Sequence, residues 1–544
     1  MAGVKQYETD VAIVGAGGAG IAAGIEARDA GARAIAFEKA SQLGGAAIIS
    51  GGGCLIVGSP LQEKHGIHDT PDLAFKDWIA WGGPSADVVW ARYYIEHSLH
   101  DLYHWAEGFG VKWVDMKVQE GNSVQRWTRP ERNGLGLMTG LIEGFRKKDG
   151  EIVPDTEITA LKVEDGRVAG LQGRNAKTGE PVTVRSKAVV VATGGFNSNL
   201  DMVLKFNPAL GNDKVLEGSG RGSTGSGHEL VRQAGGYLTH MDHIWFYVYA
   251  TPDYRDPAQR RGLVFRLVPG YIWINQQGRR FHNEALSGGN SASPALMAQS
   301  PRHAWAIMDA PMTATMEVAD PYYRDGDKVV RAKVAELLDN SPFIRKADTL
   351  TELAKKMEVD VGAFLATIER YNGACKQGLE QEPEFGKPLK SSKPFDTPPY
   401  YAVQIFPLAR KNFGGVKTDL QCRVLDKHFE PITGLYAAGE VAGMAGGHIN
   451  GRAGLEGTML GPSIFSGRVA GGWAAHAAGH GRGFVGKPNR IELGSRPDHR
   501  PQLSPACPGC DAARSAAPPT RDRPTLGARA FDVHNGPRKS GFLT

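Results

Sequence analysis

The stretch that decides the fold is residues 10–39, DVAIVGAGGAGIAAGIEARDAGARAIAFEK. The apolar run from Val11 to Val14 is typical of a buried strand, Ile21 to Ala30 predicts a small-residue helix, and Ala34 to Phe37 predicts the next strand. A strand, a helix and a strand in this order form a βαβ unit with a right-handed crossover, so the two strands are expected to lie parallel in one sheet.

The turn between the first strand and the helix fits the pattern G-x-G-x-x-G through Gly15, Gly17 and Gly20. Such glycines allow a tight turn, backbone contact with a pyrophosphate at the helix N-terminus, and close packing of the helix. Glu38 ends the second strand, where a carboxylate accepts hydrogen bonds from a ribose hydroxyl. The combination predicts dinucleotide binding, and the alternative is a purely structural glycine turn.

Two later strand patterns end in the same way, SKAVVVATGGFN at 186–197 and ITGLYAAGEVAG at 432–443. They suggest one sheet that returns repeatedly to one ligand, and therefore an α/β fold. Residues 240–360 are richer in aromatic side chains and predict an inserted second domain. The expected organisation is a cofactor domain in two parts, 1–239 and 361–486, a domain at 240–360, and a disordered basic tail at 487–544.

Bulk composition excludes several classes of protein. The net charge of +5 comes from the tail, where ten Lys or Arg from Lys487 onward face five Asp or Glu, so a nucleic-acid-binding role has little support. Five scattered cysteines, no secretory signal and no run of 18 apolar residues predict a cytoplasmic protein without a membrane span. Cys507 and Cys510 cannot complete a four-ligand zinc site, so no metal is expected.

The continuation EKASQLGGAAIISGGG at 38–53 resembles the segment that follows the ribose acid in flavoproteins of the fumarate reductase and succinate dehydrogenase family. ATGGFN and LYAAGEVAG resemble the two later FAD-contacting stretches of that family, and GSTGSGHEL at 222–230 resembles another of its turns, with Ser226 where an acid is usual. The resemblance runs from about residue 8 to 480. The branch with 3-ketosteroid dehydrogenases and tricarballylate-type dehydrogenases looks closer than the respiratory enzymes.

This resemblance implies FAD, a Rossmann-like FAD-binding domain, and an inserted α+β capping domain. The histidine that attaches FAD covalently in membrane-bound relatives is absent from GGAAIIS, which implies noncovalent FAD. The residues expected to contact the cofactor lie in the glycine loops; they are Gly15, Gly17, Gly18, Ala19, Gly20, Glu38, Lys39, Gly44, Gly45, Ala46, Ser50, Gly51, Gly52, Thr193, Gly194, Gly227, Gly439, Glu440, Gly457 and Thr458.

The catalytic positions of the family are only partly matched. GRRFHNE at 278–284 matches GxRFxNE and ends in Glu284, for which a structural role is favoured, but Gly288 stands where fumarate reductases carry their proton-donating arginine. Tyr247 takes the place of a substrate-binding histidine, and Arg410 that of the histidine in HxTMGG.

The stretch GGHINGRAGLEG at 446–457 corresponds to the family segment that runs along the flavin and contributes a substrate-binding arginine. It offers Arg452, with His448 nearby, for the substrate. Each candidate has a simpler alternative, because Tyr247 lies in an aromatic stripe, either arginine can serve an ion pair, and His448 can cap a turn.

The resemblance implies an enzyme that desaturates a cyclic ketone, keto acid or ketosteroid-like substrate, with hydride passing to flavin N5 and Arg410 and Arg452 stabilising the enolate. A phenol such as that of Tyr247 needs a neighbouring cation to handle the proton at neutral pH. Reduction of an unsaturated acid is the alternative, and a flavin-binding redox partner without substrate chemistry is a third possibility. An external electron carrier is expected, because only one dinucleotide fingerprint is present.

Overall fold

Two eight-stranded sheets dominate the chain. The computed structural model describes residues 4–489 except 219, 267 and 327, and these residues belong to one unit, 1–489. The strands are β1 (Lys5–Val14), β2 (Ala34–Phe37), β3 (Cys54–Leu55), β4 (Trp113–Lys117), β5 (Trp127–Pro130), β6 (Glu151–Val153), β7 (Thr156–Glu164), β8 (Arg167–Asn175), β9 (Pro181–Val191), β10 (Leu216–Glu217), β11 (Leu238–Thr239), β12 (Ile244–Pro252), β13 (Gly262–Arg266), β14 (Ile272–Ile274), β15 (Ala304–Met308), β16 (Glu317–Val318), β17 (Arg324–Asp325), β18 (Lys328–Val329), β19 (Ile344–Ala347), β20 (Tyr400–Asn412), β21 (Gly415–Val416), β22 (Arg423–Leu425) and β23 (Pro431–Ala437).

The helices cover the sheets and connect their strands. They are α1 (Gly18–Asp29), α2 (Gly45–Ile48), α3 (Pro60–Lys64), α4 (Pro71–Gly82), α5 (Val88–Ser98), α6 (Trp105–Glu107), α7 (Asn133–Lys147), α8 (Leu200–Phe206), α9 (Ser226–Gln233), α10 (Ala292–Met297), α11 (Ala310–Thr313), α12 (Arg331–Asn340), α13 (Leu350–Met357), α14 (Val361–Lys376) and α15 (Leu460–Ala477). In the part of the chain that the structure describes, no helix is both long enough and apolar enough to span a bilayer.

The first sheet has the order β22-β23-β9-β1-β2-β6, and β8 with β7 extends from β9. β23, β9, β1, β2 and β6 run parallel. The predicted βαβ unit is therefore confirmed, as is the prediction that three distant strands end in one sheet. Backbone bonds from Ala192 N to Val14 O (2.9 Å) and from Ala438 N to Val191 O (3.0 Å) bring the turns after these strands together at one edge.

Helices α1 and α15 pack against each other at very short distance because both are built from small residues. A Cβ added at Gly467 would lie 2.2 Å from the Ala19 carbonyl oxygen, and one at Gly471 would lie 2.1 Å from the Ala23 carbonyl oxygen. The backbones therefore touch where larger residues would hold them apart. This crossing fixes the start of α1, and with it the first glycine loop.

The second sheet has the order β14-β15-β20-β12-β13-β16, with β10 and β19 also paired to β20. Its pairs are antiparallel except that of β10 with β20. The long strand β20 is central, and helices α13 and α14 contribute to the core against it. The strands of this sheet lie between residues 216 and 412, so the sheet draws on chain both before and after 240–360. The predicted tail lies, from residue 490, outside the described residues.

Candidate active site

The first glycine loop joins β1 to α1. Gly15 has a φ of +102°, and a Cβ added there would lie 2.5 Å from the Ala192 carbonyl oxygen. A Cβ at Gly20 would lie 1.9 Å from the Gly15 carbonyl oxygen, whereas nothing lies within 4 Å of a Cβ at Gly17. The first and third glycines are thus required by packing, while the loop at Gly17 is open to a ligand.

Glu38 connects two loops at the end of β2. Its Oε2 accepts a hydrogen bond from Ala16 N at 2.9 Å, and its Oε1 accepts one from Ala40 N at 3.0 Å. Each carboxylate oxygen has a further lone pair with which to accept a hydroxyl. Lys39 Nζ donates to the Gly222 carbonyl oxygen at 2.9 Å, and burial lowers the pKa of Lys39.

The second glycine loop packs directly on the first. Gly44 and Gly45 both have positive φ, +94° and +52°, and a Cβ at Gly45 would lie 3.3 Å from Gly17 Cα. Gly45 and Ala46 begin the short helix α2 and are exposed. Small residues at these positions keep the space beside Gly17 clear.

The chain then turns through Ser50, Gly51 and Gly52. Ser50 Oγ donates to the Ala47 carbonyl oxygen at 2.7 Å and accepts from Gly52 N at 3.1 Å. Gly52 has a φ of +71°, and a Cβ at Gly51 would lie 3.5 Å from the Trp127 ring. The serine hydroxyl therefore holds the turn in shape.

The turn after β9 contains a buried hydroxyl without a partner. Thr193 Oγ1 makes no hydrogen bond within the described part of the chain. Gly194 has a φ of +76° with nothing within 4 Å of a Cβ, and a Cβ at Gly227 would lie 1.9 Å from Thr193 Oγ1. Buried polar groups normally have partners, so an unpaired hydroxyl beside an open glycine fits a bound polar ligand.

The turn after β23 links the two sheets. Gly439 has a φ of +76°, and Glu440 Oε1 accepts hydrogen bonds from Asn197 Nδ2 and Asn412 N, both at 3.2 Å. Asn412 is the last residue of β20. Burial raises the pKa of Glu440. One carboxylate therefore fixes the end of the second sheet against the glycine turns of the first.

The last of the predicted cofactor residues precede α15. Gly457 has a φ of +96° and accepts a hydrogen bond from Leu55 N at 3.0 Å, and Thr458 is fully buried. A Cβ at Gly18 would lie 3.4 Å from Leu460 Cδ1, so the first turns of α1 and α15 are neighbours. Among the described residues, no side chain caps the N-terminus of α1 or of α15. Uncapped amides at helix N-termini suit an anion such as a pyrophosphate.

A β-bulge shapes the second part of the site. β12 pairs with β20 through Trp245↔Lys411 and then Phe246↔Ala409, so Arg410 is the extra residue on β20. A bulge sets two consecutive residues opposite one and re-aims their side chains. Here the Arg410 guanidinium carbon lies 5.6 Å and Lys411 Nζ 5.7 Å from the centre of the Tyr247 ring. Two cations thus flank one phenol.

Each of these cations has a further contact. Arg410 Nη1 donates a hydrogen bond to the Gly218 carbonyl oxygen, and Lys411 Nζ lies 4.0 Å from Glu456 Oε2. Lys411 Nζ also lies 4.5 Å from the centre of the Trp245 ring. The Tyr247 side chain is buried and stacks on Tyr249, with ring centres 5.2 Å apart.

His448 belongs to a cluster of three histidines. Its ring stacks on that of His240 at 4.1 Å, and the His240 and His243 rings are 4.8 Å apart. Burial, helped by Lys417, lowers the pKa of His448 to about 4, so this imidazole is neutral at pH 7. In the described residues no partner is found for its buried Nδ1.

Arg452 lies beside this cluster with an exposed side chain. Its backbone N donates to the Gly82 carbonyl oxygen at 3.1 Å. Burial is the main cause that lowers the pKa of His240 and of His243, and the charge of Arg452 lowers both pKa values further. The predicted catalytic residues therefore fall into two groups, Tyr247 with Arg410 and His448 with Arg452.

A carboxylate fills the place beside Gly288. Glu120 Oε2 accepts hydrogen bonds from Gly288 N at 2.8 Å and from Ser287 N at 3.1 Å. A Cβ at Gly288 would lie 2.9 Å from this carboxylate. The position at which fumarate reductases carry their proton-donating arginine therefore has no room for a side chain here unless Glu120 moves.

The GRRFHNE motif forms a buried ion-pair network. Arg280 donates to both Glu284 oxygens, at 2.8 and 2.7 Å, and lies 2.6 Å from Glu382 Oε2. Glu284 Oε1 also accepts from Trp273 N at 3.0 Å. In this structure the motif ties the loop after β14 to that strand and to Glu382.

Several residues near the candidates were missed as site residues. Lys411 is adjacent in sequence to a predicted one, but its direction depends on the bulge. Tertiary packing alone brings Glu120 to Gly288, whereas His240, His243 and Trp245 lie just before Tyr247 in the chain. The one available signal was the clustering of histidine and aromatic residues in THMDHIWFY at 239–247.

With this geometry in view, comparison with known proteins decides the family. Residues 10–460 match the FAD binding domain family. The chain belongs to this family. The predicted cofactor, FAD, is thereby confirmed, and the relatives below support the predicted class, an FAD-dependent oxidoreductase.

Individual relatives support the same class. Over 479 residues the chain is 31% identical to the NADH:fumarate oxidoreductase of Klebsiella pneumoniae, covering 87% of this chain but only 48% of that protein, so it spans about half of that relative's length. Similar solved structures include a flavocytochrome c3 fumarate reductase in an open conformation, with a TM-score of 0.69, 28% identity, and coverage of 87% of this chain and 79% of that one. Another is the 3-ketosteroid-Δ4-(5α)-dehydrogenase of Rhodococcus jostii RHA1, with a TM-score of 0.67, 27% identity, and coverage of 86% and 97%.

Proposed function

We propose that the glycine loops at the edge of the first sheet hold FAD noncovalently. The amides near Gly17, Gly18 and Ala19 would take the pyrophosphate, and Glu38 would accept from a ribose hydroxyl. The open position at Gly17 and the unpaired Thr193 hydroxyl support this assignment. Bound FAD would supply the hydride acceptor or donor.

The proposed reaction is hydride transfer at a CH–CH bond next to a carbonyl or carboxylate, in the direction of desaturation. The observation that carries it is the bulge that places Arg410 and Lys411 within 5.7 Å of the Tyr247 ring centre. Loss of the α-proton leaves negative charge on the substrate oxygen, and the two cations stabilise such a charge. The Tyr247 oxygen, in its deprotonated form beside the two cations, would take the proton from the α-carbon, and Arg452 would orient the far end of the substrate.

The second sheet, in this proposal, caps the cofactor site. Support comes from the Glu440–Asn412 bond, which ties a turn of the first sheet to the end of β20. The Glu120 bonds to residues 287 and 288 add to it, because they tie the loop after β4 to a loop of the second sheet. A cap that excludes water strengthens the electrostatic stabilisation of an enolate. The electrons leave through a separate carrier, because a second dinucleotide fingerprint is absent from the sequence.

The experiment is anaerobic mixing of the FAD-loaded protein with cyclohexanone, 3-ketosteroids and saturated dicarboxylic acids. Loss of the visible flavin absorbance with any of them supports desaturation. Tyr247→Phe should slow this bleaching and change its pH dependence while substrate still binds, because only the proton acceptor is removed. Bleaching at the wild-type rate in Tyr247→Phe would show that another group handles the proton.

Reduction of an unsaturated acid is the second candidate, and the similarity to an NADH:fumarate oxidoreductase favours it. The chemically reduced protein, mixed with fumarate, then recovers its flavin absorbance faster than the same protein mixed with succinate. A flavin that responds to no compound of either set indicates a redox partner without substrate chemistry of its own.

A further inference from the structure

The indole of Trp245 is buried with an unused hydrogen-bond donor. Trp245 lies on β12 and is only 3% exposed, and its Nε1 has no hydrogen-bond partner in the described part of the chain. A buried donor without an acceptor costs folding free energy, so it calls for an explanation. A bound acceptor is one explanation.

The surroundings of this N–H leave space for such an acceptor. A Cβ added at Gly289 would lie 3.5 Å from Trp245 Nε1 and 3.5 Å from the Ala453 side chain. Gly289 thus stands between the indole edge and the loop that carries Arg452. On the face of the same indole, Lys411 Nζ lies 4.5 Å from the ring centre.

Two other tryptophans have equally unpaired indole nitrogens but different surroundings. Trp273 and Trp305 belong to the apolar core of the second sheet. Trp273 stacks on His282 at 5.7 Å, and Trp305 lies under the guanidinium of Arg345. Trp245, in contrast, belongs to the core cluster that also contains Tyr247, and it lies beside the proposed cations.

We propose that Trp245 is a further substrate-binding residue, whose indole N–H donates to a carbonyl or carboxylate oxygen of the substrate. Lys411, above the same ring, supplies the compensating positive charge. The ligand class is a planar ketone or carboxylic acid, which rests on the proposed function of the same site. Gly289 is glycine because a side chain there would occupy the position of the bound oxygen.

The test uses the FAD-loaded full chain and two probes, fumarate and 4-androstene-3,17-dione. Each is titrated against the visible flavin spectrum of wild type and of Trp245→Phe, which keeps the ring and loses the donor. For every probe that wild type binds, Kd should rise about tenfold, as expected for one lost hydrogen bond to a charged or polarised oxygen. Trp305→Phe is the matched control, since it removes another unpaired, 3%-exposed indole N–H, and its Kd should equal that of wild type.

Gly289→Ala provides a second variant that does not depend on the indole. The added methyl would meet its nearest neighbours at 3.5 Å, an ordinary contact, so the protein should fold. It should nevertheless weaken probe binding because it takes the space for the oxygen. Gly373→Ala, with nothing within 4 Å of its Cβ, is the control for an added methyl.

The inference is overturned if Trp245→Phe and Gly289→Ala both bind the probes with Kd values within about twofold of wild type. Such a change is smaller than the loss of one hydrogen bond would cause. It is equally overturned if Trp305→Phe weakens binding as much as Trp245→Phe. If neither probe perturbs the wild-type flavin, the proposed function fails and this inference fails with it. If the probes bind wild type and both variants equally well, the inference about Trp245 fails and the proposed function stands.

Discussion

At the scale of single residues, the bulge at Arg410 has the largest consequence. In a regular strand, neighbouring side chains point to opposite faces, so Arg410 and Lys411 would not approach the same ring. Because Arg410 is inserted between two paired positions, both cations reach Tyr247. The site thus gains two positive charges from one local irregularity in β20.

We expect Arg410→Ala to lower kcat/KM by about ten- to a hundredfold, because a charge-assisted hydrogen bond contributes roughly 1.5–3 kcal/mol. The loss should appear in the rate of flavin reduction as well as in affinity, since the charge on the substrate oxygen grows in the transition state. Arg410→Lys should recover only part, because an ammonium lacks the guanidinium fork. Stopped-flow reduction of the bound flavin measures this.

Arg452→Ala is expected to cost a similar factor. FAD content should stay normal in all these variants, which serves as the control. If Arg410→Ala and Arg452→Ala both reduce flavin at the wild-type rate, the chemistry takes place elsewhere and the 446–457 loop is only a cradle for the cofactor.

The histidine cluster makes stability depend on pH. The folded-state pKa of His448 is about 4, below its ordinary value of 6.5, because of burial, Lys417 and His240, with Asp87 opposing. The unfolded chain therefore binds a proton that the folded chain refuses, so stability is full above pH 6.5 and is lost as the pH falls towards 4. His448→Gln should reduce proton uptake on unfolding at pH 5 by about one.

Urea unfolding of wild type and His448→Gln at several pH values between 4 and 7 checks this expectation. His65→Gln, a change at an exposed histidine, is the control and should leave the slope of stability against pH unchanged. Parallel curves for wild type and His448→Gln would contradict a neutral His448.

How far these residues were predictable depends on how local their signal is. The glycines and Glu38 could be found from sequence because turn geometry and a ribose contact act within one βαβ unit. The pairing of Arg410 with Tyr247 spans more than 150 residues, and its register includes a bulge that no local pattern reveals. Glu120, which fills the space beside Gly288, comes from a loop with no recognisable motif.

At the scale of elements, the crossing of α1 and α15 controls the first glycine loop. Periodicity predicted a helix from Ile21, whereas α1 begins at Gly18, because the turn glycines themselves take helical conformation. Helix α15 begins at Leu460, directly after the glycine-rich stretch at 446–457. The helices themselves are thus readable from sequence, but their contact through Gly467 and Gly471 requires the tertiary structure.

Gly471→Ala should therefore destabilise the protein and release FAD. The new methyl would lie 2.1 Å from the Ala23 carbonyl oxygen, which is backbone and can move only if the helices separate. Overpacking of this kind costs about 1–3 kcal/mol. The measurements are the thermal midpoint and the flavin-to-protein ratio. Gly373→Ala in α14 should be neutral or stabilising by roughly 0.5–1 kcal/mol, since it adds helix propensity in open space.

At the scale of the whole molecule, the proposed cofactor site collects loops from residues 15 to 458. The first sheet and its parallel strands follow from the βαβ pattern and the two later glycine turns. A second domain was expected at 240–360 from its aromatic composition, yet the central strand β20 of the second sheet lies at Tyr400–Asn412. Composition could not assign that strand, because its partners β12 and β15 are distant in sequence and its apolar run fits either sheet.

The mode of FAD attachment is a prediction for the whole protein. Acid precipitation of the yellow protein should leave all flavin in the supernatant, because the stretch GGAAIIS offers no histidine for a covalent bond. The absorbance of supernatant and pellet measures the partition. Flavin retained on the washed, denatured polypeptide would refute noncovalent binding.

The last expectation concerns the segment after Asn489. Asn489 N donates to the Glu96 carbonyl oxygen at 2.6 Å, so a truncation should keep this residue. Residues 490–544 are rich in Pro, Arg and Ala and lack an apolar pattern able to offset the entropy of ordering. Ending the chain at Asn489 should therefore leave the flavin-to-protein ratio, the thermal midpoint and the rate of flavin reduction at their full-length values.

A shorter chain that ends before Lys487 is the matched comparison. It also loses Asn489 and the bond from Lys487 N to Asp101 Oδ2 at 2.7 Å, and its thermal midpoint should be lower. If ending the chain at Asn489 already releases FAD or causes precipitation, the basic segment packs on the oxidoreductase and takes part in its fold.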